Sequence, residues 1–179
     1  DTVAFGAYRR SLFDTLGDFR EDLDGGEDDE FNYRLLSAGG RILLTPAIRS
    51  TYLVRSSLAA VFRQYFRYGR AKVGVLRLHP GQTRARQLVP AAFVAALGVG
   101  AALAMEGERR PLAVTLASYA AASAAAVALE GRRCGLKRLP ALPLAFAALH
   151  LGYGLGWFAG LGRLARTRTP RPERQEATL

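Results

Sequence analysis

Residues Leu88 to Met105 read Leu-Val-Pro-Ala-Ala-Phe-Val-Ala-Ala-Leu-Gly-Val-Gly-Ala-Ala-Leu-Ala-Met, eighteen positions without a charged side chain. A hydrocarbon core of about 30 Å takes roughly 20 residues of helix, and shorter spans are tolerated. The stretch therefore predicts a membrane-crossing helix, with Pro90 near its start. Leu112–Leu129 is equally free of charge and is bounded by Glu130, so the two segments suit a helical hairpin. A soluble Ala-rich bundle would need polar residues at helical period, and these segments have no polar face. Leu139–Gly162 is longer but carries Pro140, Pro143, His150 and several glycines. It reads as a third span, a re-entrant segment or an interfacial helix.

Working outward, the links between the apolar segments differ in charge. Arg132, Arg133, Lys137 and Arg138 make the second link strongly basic, whereas Glu106, Glu108, Arg109 and Arg110 balance the first. The positive-inside rule places the second link in the cytoplasm together with the basic region before Leu88. The basic tail beyond Gly162 (Arg163, Arg166, Arg168, Arg171, Arg174) asks for the same side, which two spans allow and three do not.

The region before Leu88 is of a different kind. Ten of the fifteen acidic residues lie before Phe31, and from Phe31 to Gln87 there are eleven Lys or Arg and no acid. A net charge of +10 suits nucleic acid, an anionic membrane surface or a phosphorylated substrate. Apolar segments directly after the basic stretch favour the membrane over nucleic acid. Cys134 is the sole cysteine, which excludes an internal disulfide and a cysteine-based metal site. Its basic neighbours could lower the thiol pKa, but it reads as an incidental loop residue. His79 and His150 lack partners at metal-ligand spacing and are assigned to no site.

Short elements are expected in this first region. Thr2–Phe5 reads as a strand ended by Gly6, and Arg10–Leu16 as a short helix closed by Gly17. A helix is expected from Glu27 to Ala38, its first turn Glu27-Asp28-Asp29-Glu30 opposing the positive end of the helix dipole, its stop at Gly39-Gly40. Arg41–Thr45 and Ile48–Val54 read as strands on either side of Pro46. From Ser57 to Leu78, apolar residues recur at helical spacing while Arg63, Gln64, Arg67, Arg70, Lys72 and Arg77 fill the other faces. A basic amphipathic helix of this kind can lie in a membrane interface. Gly69 and Gly74 predict a weak point or kink.

The stretch Gly26-Glu-Asp-Asp-Glu-Phe-Asn-Tyr-Arg34 resembles the acidic motif of family 2 glycosyltransferases, above all the membrane-bound enzymes of the succinoglycan-biosynthesis type. Glu27 and Asp28 match the family's Glu/Gln-Asp pair, and Phe31 and Arg34 the helical positions that follow. Gln64-Tyr-Phe-Arg67-Tyr68 resembles the Gln-x-x-Arg-Trp motif, with Tyr68 in place of Trp and a following Gly-Arg. The segment from Asp1 to Arg10 is similar to the stretch that precedes the acidic motif. The resemblance covers about residues 1–87 and, more loosely, the apolar tail.

The resemblance implies that Asp28 is the catalytic base, deprotonating an acceptor hydroxyl while charge builds on a leaving nucleoside diphosphate. Glu27 and Asp29 would bind substrate or position Asp28. Gln64, Arg67 and Tyr68 stand at i, i+3 and i+4, hence on one helix face. There Arg67 would hydrogen-bond phosphate oxygens, Gln64 would donate, and Tyr68 would offer its ring and hydroxyl. Tyr8, Arg9, Arg10 and Arg34 suit either substrate contact or ion pairing with the acidic run. Taken without the resemblance, an acidic first turn is ordinary dipole compensation, and aromatics with Arg on an amphipathic helix are ordinary packing.

The expected fold is thus the C-terminal half of an α/β, GT-A-like nucleotide-sugar transferase domain, followed by an interfacial helix and two to three transmembrane helices. The expected boundaries are 1–56 for the catalytic part, 57–87 for the amphipathic segment, 88–165 for the membrane region and 166–179 for a basic disordered tail. Without an initiator Met or leader pattern, the chain reads as part of a longer protein whose N-terminal half supplies donor binding. A divalent metal, Mg or Mn, is expected there through an Asp-x-Asp motif that this chain does not contain, and none is expected on these residues. Partners are then a nucleotide-sugar donor, a polysaccharide or lipid-linked acceptor and membrane lipid, with no nucleic acid. The expected reaction inverts the anomeric centre, at the inner (plasma) membrane with the catalytic part cytoplasmic. The rivals are a non-enzymatic membrane-tethered module binding anionic lipid or a partner, and a transport subunit, for which the first two spans offer almost no polar path.

Overall fold

The acidic first turn, the amphipathic stretch and the apolar segments each become a helix. The computed structural model describes residues 6–134 and 139–167, with side chains described for 6–129 and 139–166. Helix α1 is Ser11–Leu16, α2 Glu27–Ser37, α3 Leu58–Leu78, α4 Ala85–Met105, α5 Arg110–Cys134 and α6 Ala141–Thr167, with a single 3₁₀ turn at Pro80–Gln82. The strand expected at Thr2–Phe5, the basic link 135–138, the Cys134 side chain and the tail beyond 167 lie outside the described residues.

The expected α/β fold is overturned. Among the described residues every regular element is helical and no strand is present. Arg41–Thr45 and Ile48–Val54 form no regular element, and Leu43, Ile48, Leu53 and Val54 are exposed at 88, 80, 84 and 76%. A strand is stable only when its backbone groups meet a ladder and its side chains a covered face. Alternation of apolar residues reports what a segment could do beside a partner, and here no described neighbour supplies one.

The region before α3 is held by a small aromatic cluster. Tyr8, Phe13, Phe19 and Phe31 meet edge-on or stacked, with ring centroids 5.0–6.2 Å apart. Phe31 is fully buried at its centre and Leu35 lies buried one turn later. Aromatic rings so arranged contribute beyond the area they bury. Helix α2 starts from Gly26 at φ 80°, where a side chain would be strained and a Cβ would press on Val75 at 3.3 Å.

Helix α3 is capped by Ser57, whose Oγ accepts the Ala60 N–H at 3.2 Å, and it runs unbroken through Gly69 and Gly74. Gly69, expected as a weak point, serves packing. A Cβ there would stand 2.0 Å from the carbonyl oxygen of Tyr153 on α6. On α6, Gly152, Gly156 and Gly160 face the carbonyls of Phe62, Phe66 and Arg70 in turn, at 2.6, 2.0 and 2.9 Å from a hypothetical Cβ. Spaced four apart, they form one stripe, so the two helices run parallel with backbones in close approach. Gly154 gives α4 the same closeness at Pro90.

Helices α4 and α5 form the expected hairpin, meeting where Gly100 abuts Leu112 and where Phe93 stacks on Tyr119 at 4.3 Å. His150 on α6 meets Tyr119 Oη at 2.9 Å. Three helices, Ala85–Met105, Arg110–Leu129 and Ala141–Arg166, are long and apolar enough to cross a membrane. The third segment is one continuous helix, which leaves no re-entrant turn. Its C-terminal half is shared with α3 through the glycine stripe.

Candidate functional site

The residues of the acidic motif divide by environment. Glu27 and Asp28 are exposed, Asp29 is half-buried and Glu30 is fully buried. One helical turn accounts for the division, since successive residues are rotated by about 100°. Asp28 Oδ1 accepts the Asp29 N–H at 2.8 Å and the side chain otherwise stands on the open face. Its charge is felt by Tyr8, whose hydroxyl is pushed up from its usual pKa by burial and then by Asp28. Tyr8 Oη also donates to Asn32 Oδ1 at 3.1 Å.

Asp29 is turned toward α3. Lys72 Nζ donates to Asp29 Oδ2 at 2.6 Å and to Gln82 Oε1 at 3.2 Å, and Gln82 Nε2 returns to the Asp29 carbonyl at 3.3 Å. Lys72 is only 10% exposed, so this ammonium sits largely out of water. Asp29 is thus tied to α3, whereas Asp28 is exposed.

Glu30 closes a second network. Arg34 Nε donates to both its oxygens, at 2.9 and 3.0 Å, and His79 Nε2 lies 2.8 Å from Oε1. Arg34 also donates to the carbonyls of Leu16 and Asp18, the latter at 2.8 Å, and stacks over Phe31 at 4.9 Å. Burial pushes the Glu30 carboxyl up, but Arg34 and His79 together hold it below its ordinary value. The network pins the 16–18 loop and the end of α3 to the motif helix. Of the two roles the sequence allowed Arg34, ion pairing is the one it has. His79, assigned to no site from sequence, has its partner 49 residues upstream.

The second motif lies on α3. Gln64 Nε2 donates to Tyr68 Oη at 2.7 Å and to Tyr52 Oη at 3.1 Å, while Arg55 Nε donates to Gln64 Oε1 at 3.3 Å. Gln64 and Tyr68 are thus brought together, and with them the 52–55 segment. Arg67 is exposed on a neighbouring groove of about 660 Å³, lined also by Arg55, Arg63, Phe62 and Phe66. Lys72 continues the Gln64–Tyr68 line at i+4 and i+8, so one face of α3 links the two motifs. Sequence reading placed Lys72 only among the polar faces of this helix. Its spacing from Gln64 was visible, but its partner was not.

No group of three or more His, Cys, Asp or Glu side chains among the described residues could hold a metal ion. The acidic turn does not fit one, because Asp29 is bound to Lys72 and Glu30 to Arg34 and His79.

Comparison with known proteins joins these observations. The chain is 37% identical over 97 residues to Succinoglycan biosynthesis protein ExoA of Rhizobium meliloti (strain 1021), covering 54% of this chain and 29% of that protein. It is 34% identical over 84 residues to the dolichyl N-acetyl-alpha-D-glucosaminyl phosphate 3-beta-D-2,3-diacetamido-2,3-dideoxy-beta-D-glucuronosyltransferase of Methanococcus voltae, covering 43% of this chain and 24% of that protein. The chain thus spans less than a third of the length of either relative. No family model and no solved structure matches it. Both likenesses agree with the resemblance to succinoglycan-biosynthesis-type glycosyltransferases read from the paired motifs: one relative is named for succinoglycan biosynthesis and the other as a glucuronosyltransferase.

Proposed function

We propose, with that likeness as the premise, that the chain is part of a membrane-bound, inverting glycosyltransferase of family 2. It moves a sugar from a nucleotide-sugar donor to a polysaccharide or lipid-linked acceptor. The observation that carries this reading is the division of the acidic turn: Asp28 is exposed while Asp29 and Glu30 are engaged by Lys72, Arg34 and His79. A general base needs an accessible carboxylate on a fixed support, and Asp28 has both.

In the proposed reaction the acceptor hydroxyl attacks the anomeric carbon, the bond to the diphosphate oxygen breaks, and the hydroxyl proton passes to Asp28. The groove at Arg55, Arg63 and Arg67 suits the departing diphosphate, since guanidinium groups pair with phosphate oxygens in fork geometry. Phe62 and Phe66 give that groove apolar surface for a sugar or base. Gln64 and Tyr68 fix the groove's neighbouring edge through their mutual hydrogen bond. The divalent ion of the family is proposed to be held elsewhere in the whole protein, and no step here depends on it.

The lipid-linked acceptor gains support from the Methanococcus relative, whose name specifies a dolichyl phosphate-bound sugar. Three helices long and apolar enough to cross a membrane support action at that surface. We place it at the inner membrane with α1–α3 on the cytoplasmic side, an arrangement in which α4 and α5 cross and α6, packed on α3 along its C-terminal half, does not. The test is Asp28→Asn in the full-length protein, assayed for sugar transfer. Turnover should fall about 10²–10⁴-fold, the usual contribution of a general base, with helicity and membrane association unchanged. Turnover within a factor of about two of wild type removes Asp28 from the chemistry.

A further inference from the structure

Arg70 belongs to the Gly-Arg that follows the Gln64–Tyr68 motif, and the proposed reaction leaves it without a task. Its Nη2 lies 3.3 Å from Asp24 Oδ2. Arg163 on α6 donates through Nη1 to the same oxygen. One carboxylate on the loop before the acidic turn is therefore held by guanidinium groups from two helices. The loop continues along the same face of α3. A Cβ at Gly74 would meet Leu23 Cδ2 at 3.1 Å, and Cβ atoms at Gly25 and Gly26 would meet Ala71 and Val75 at 3.6 and 3.3 Å. Asp24 is the last residue before Gly25 and Gly26, whose φ of 114° and 80° lie in the region that favours glycine. Glu27 and Asp28 follow at once as the first two residues of α2.

Glycine offers the least resistance to backbone rotation, so the direction in which α2 leaves the loop depends on what holds each side of this pair. On the far side Lys72 holds Asp29, and Arg34 with His79 holds Glu30. On the near side the charged anchor is Asp24, and Asp28 lies between the two. We propose that Asp24 is a positioning residue for Asp28, held by Arg70 and Arg163 so that α3 and α6 jointly set where the acidic turn presents its exposed carboxylate. Its effect on turnover rests on the transferase reading; the anchoring of the loop does not. Asp24 and Arg163 are both exposed, and exposed ion pairs add little to global stability. Positioning is thereby separable from folding, because a reacting carboxylate tolerates far less displacement than a fold does. Asp22, which pairs with Arg20 inside the loop, is the internal control.

The test compares Asp24→Asn, Asp24→Glu, Arg163→Gln and Asp22→Asn in the full-length protein in neutral detergent. Turnover is measured with whichever UDP-, GDP- or dTDP-linked sugar wild type uses fastest, on total membrane lipid as acceptor. Amide exchange needs no substrate. Asp24→Asn should lower kcat about tenfold to a hundredfold, the range for a reacting group displaced by about 1 Å, with donor KM within about twofold. Exchange across 25–30 should quicken, since the Glu30 N–H bond to the Gly26 carbonyl closes over the glycine pair. Asp24→Glu should recover most of both, Arg163→Gln should lose less because Arg70 remains, and Asp22→Asn should match wild type. The unfolding midpoint should stay within about 4 °C of wild type throughout. A kcat of Asp24→Asn within about twofold of wild type, unchanged exchange, an equal loss in Asp22→Asn, or no recovery in Asp24→Glu each overturns the proposal. A fall in midpoint that tracks the loss of turnover assigns Asp24 to folding and overturns it too. Asp28→Asn, assayed alongside, keeps the two readings apart. Turnover retained there removes the transferase base, whereas turnover lost there and kept in Asp24→Asn removes the positioning alone.

Discussion

Lys72 Nζ lies 2.6 Å from Asp29 Oδ2, and this contact fastens the acidic motif helix to the helix that carries Gln64 and Tyr68. Lys72 is 10% exposed and Asp29 34% exposed. The pair therefore sits between the surface case, where an ion pair contributes about 0–1 kcal/mol, and the buried case, where removing one partner costs about 3–5 kcal/mol.

Lys72→Met should accordingly destabilise the protein by roughly 1–3 kcal/mol, because it leaves Asp29 short of its nearest cation in a partly dry site. The same loss should follow from Asp29→Asn, and the double variant should lose less than the two together. Denaturation of the four proteins in a mutant cycle measures the coupling. Additive losses would mean that the contact does not hold the two helices together.

Glu30 supplies a pH dependence. Its folded carboxyl is held below the ordinary value of 4.5, so the folded state binds the proton less readily than the unfolded chain. The stabilisation is fully present above about 4.5 and is lost as pH falls through the lower folded value. Unfolding of wild type should show this acid loss, and Glu30→Gln should lack it while being less stable at neutral pH. Parallel stability curves for the two proteins below pH 4.5 would assign the acid response to other groups.

The helices were legible from the sequence to within a few residues, because their signals are local. Ser57 and Gly26 mark starts, Gly17 and Gly39 mark stops, and absence of charge marks α4 and α5. What the sequence concealed is what depends on a distant partner. Arg41–Thr45 and Ile48–Val54 alternate like strands yet have no described neighbour to pair with. Lys72 and His79 looked like filler until α2 was set against the end of α3. Within the site, Asp28 and Asp29 share the acidic turn and Gln64 and Tyr68 one face of α3, while Asp29 faces a lysine and Arg67 a separate groove. In sequence the glycines of α6 leave that segment open between a span, a re-entrant segment and an interfacial helix, whereas Gly152, Gly156 and Gly160 are spaced for a close helix contact that the i, i+4 rule already permits.

Gln64 ties the 52–55 segment to α3 through Tyr52 and Arg55. These contacts are exposed, so Gln64→Ala should change global stability by no more than about 0.5–1 kcal/mol. It should instead release the segment locally, seen as faster tryptic cleavage after Arg55 and faster amide exchange across 52–55. Cleavage at the wild-type rate would show that other contacts hold the segment.

The glycine stripe gives the sharpest contrast in cost. At Gly156 a Cβ would stand 2.0 Å from the Phe66 carbonyl oxygen, which belongs to the backbone of α3 and cannot swing aside. Gly156→Ala must therefore push α3 and α6 apart, at a cost of about 1–3 kcal/mol or more, the usual range for forcing atoms into a packed contact. Gly98 on α4 meets nothing within 4 Å. There the same substitution only removes backbone freedom, and it should be neutral or stabilising by up to about 1 kcal/mol. Because α3 carries Gln64, Tyr68 and Lys72, Gly156→Ala should also loosen the Lys72–Asp29 contact, and a further Lys72→Met change should then cost less than it does in wild type. Thermal unfolding of the two alanine variants in the same detergent decides the matter: equal midpoints would mean that α3 and α6 are not in backbone contact.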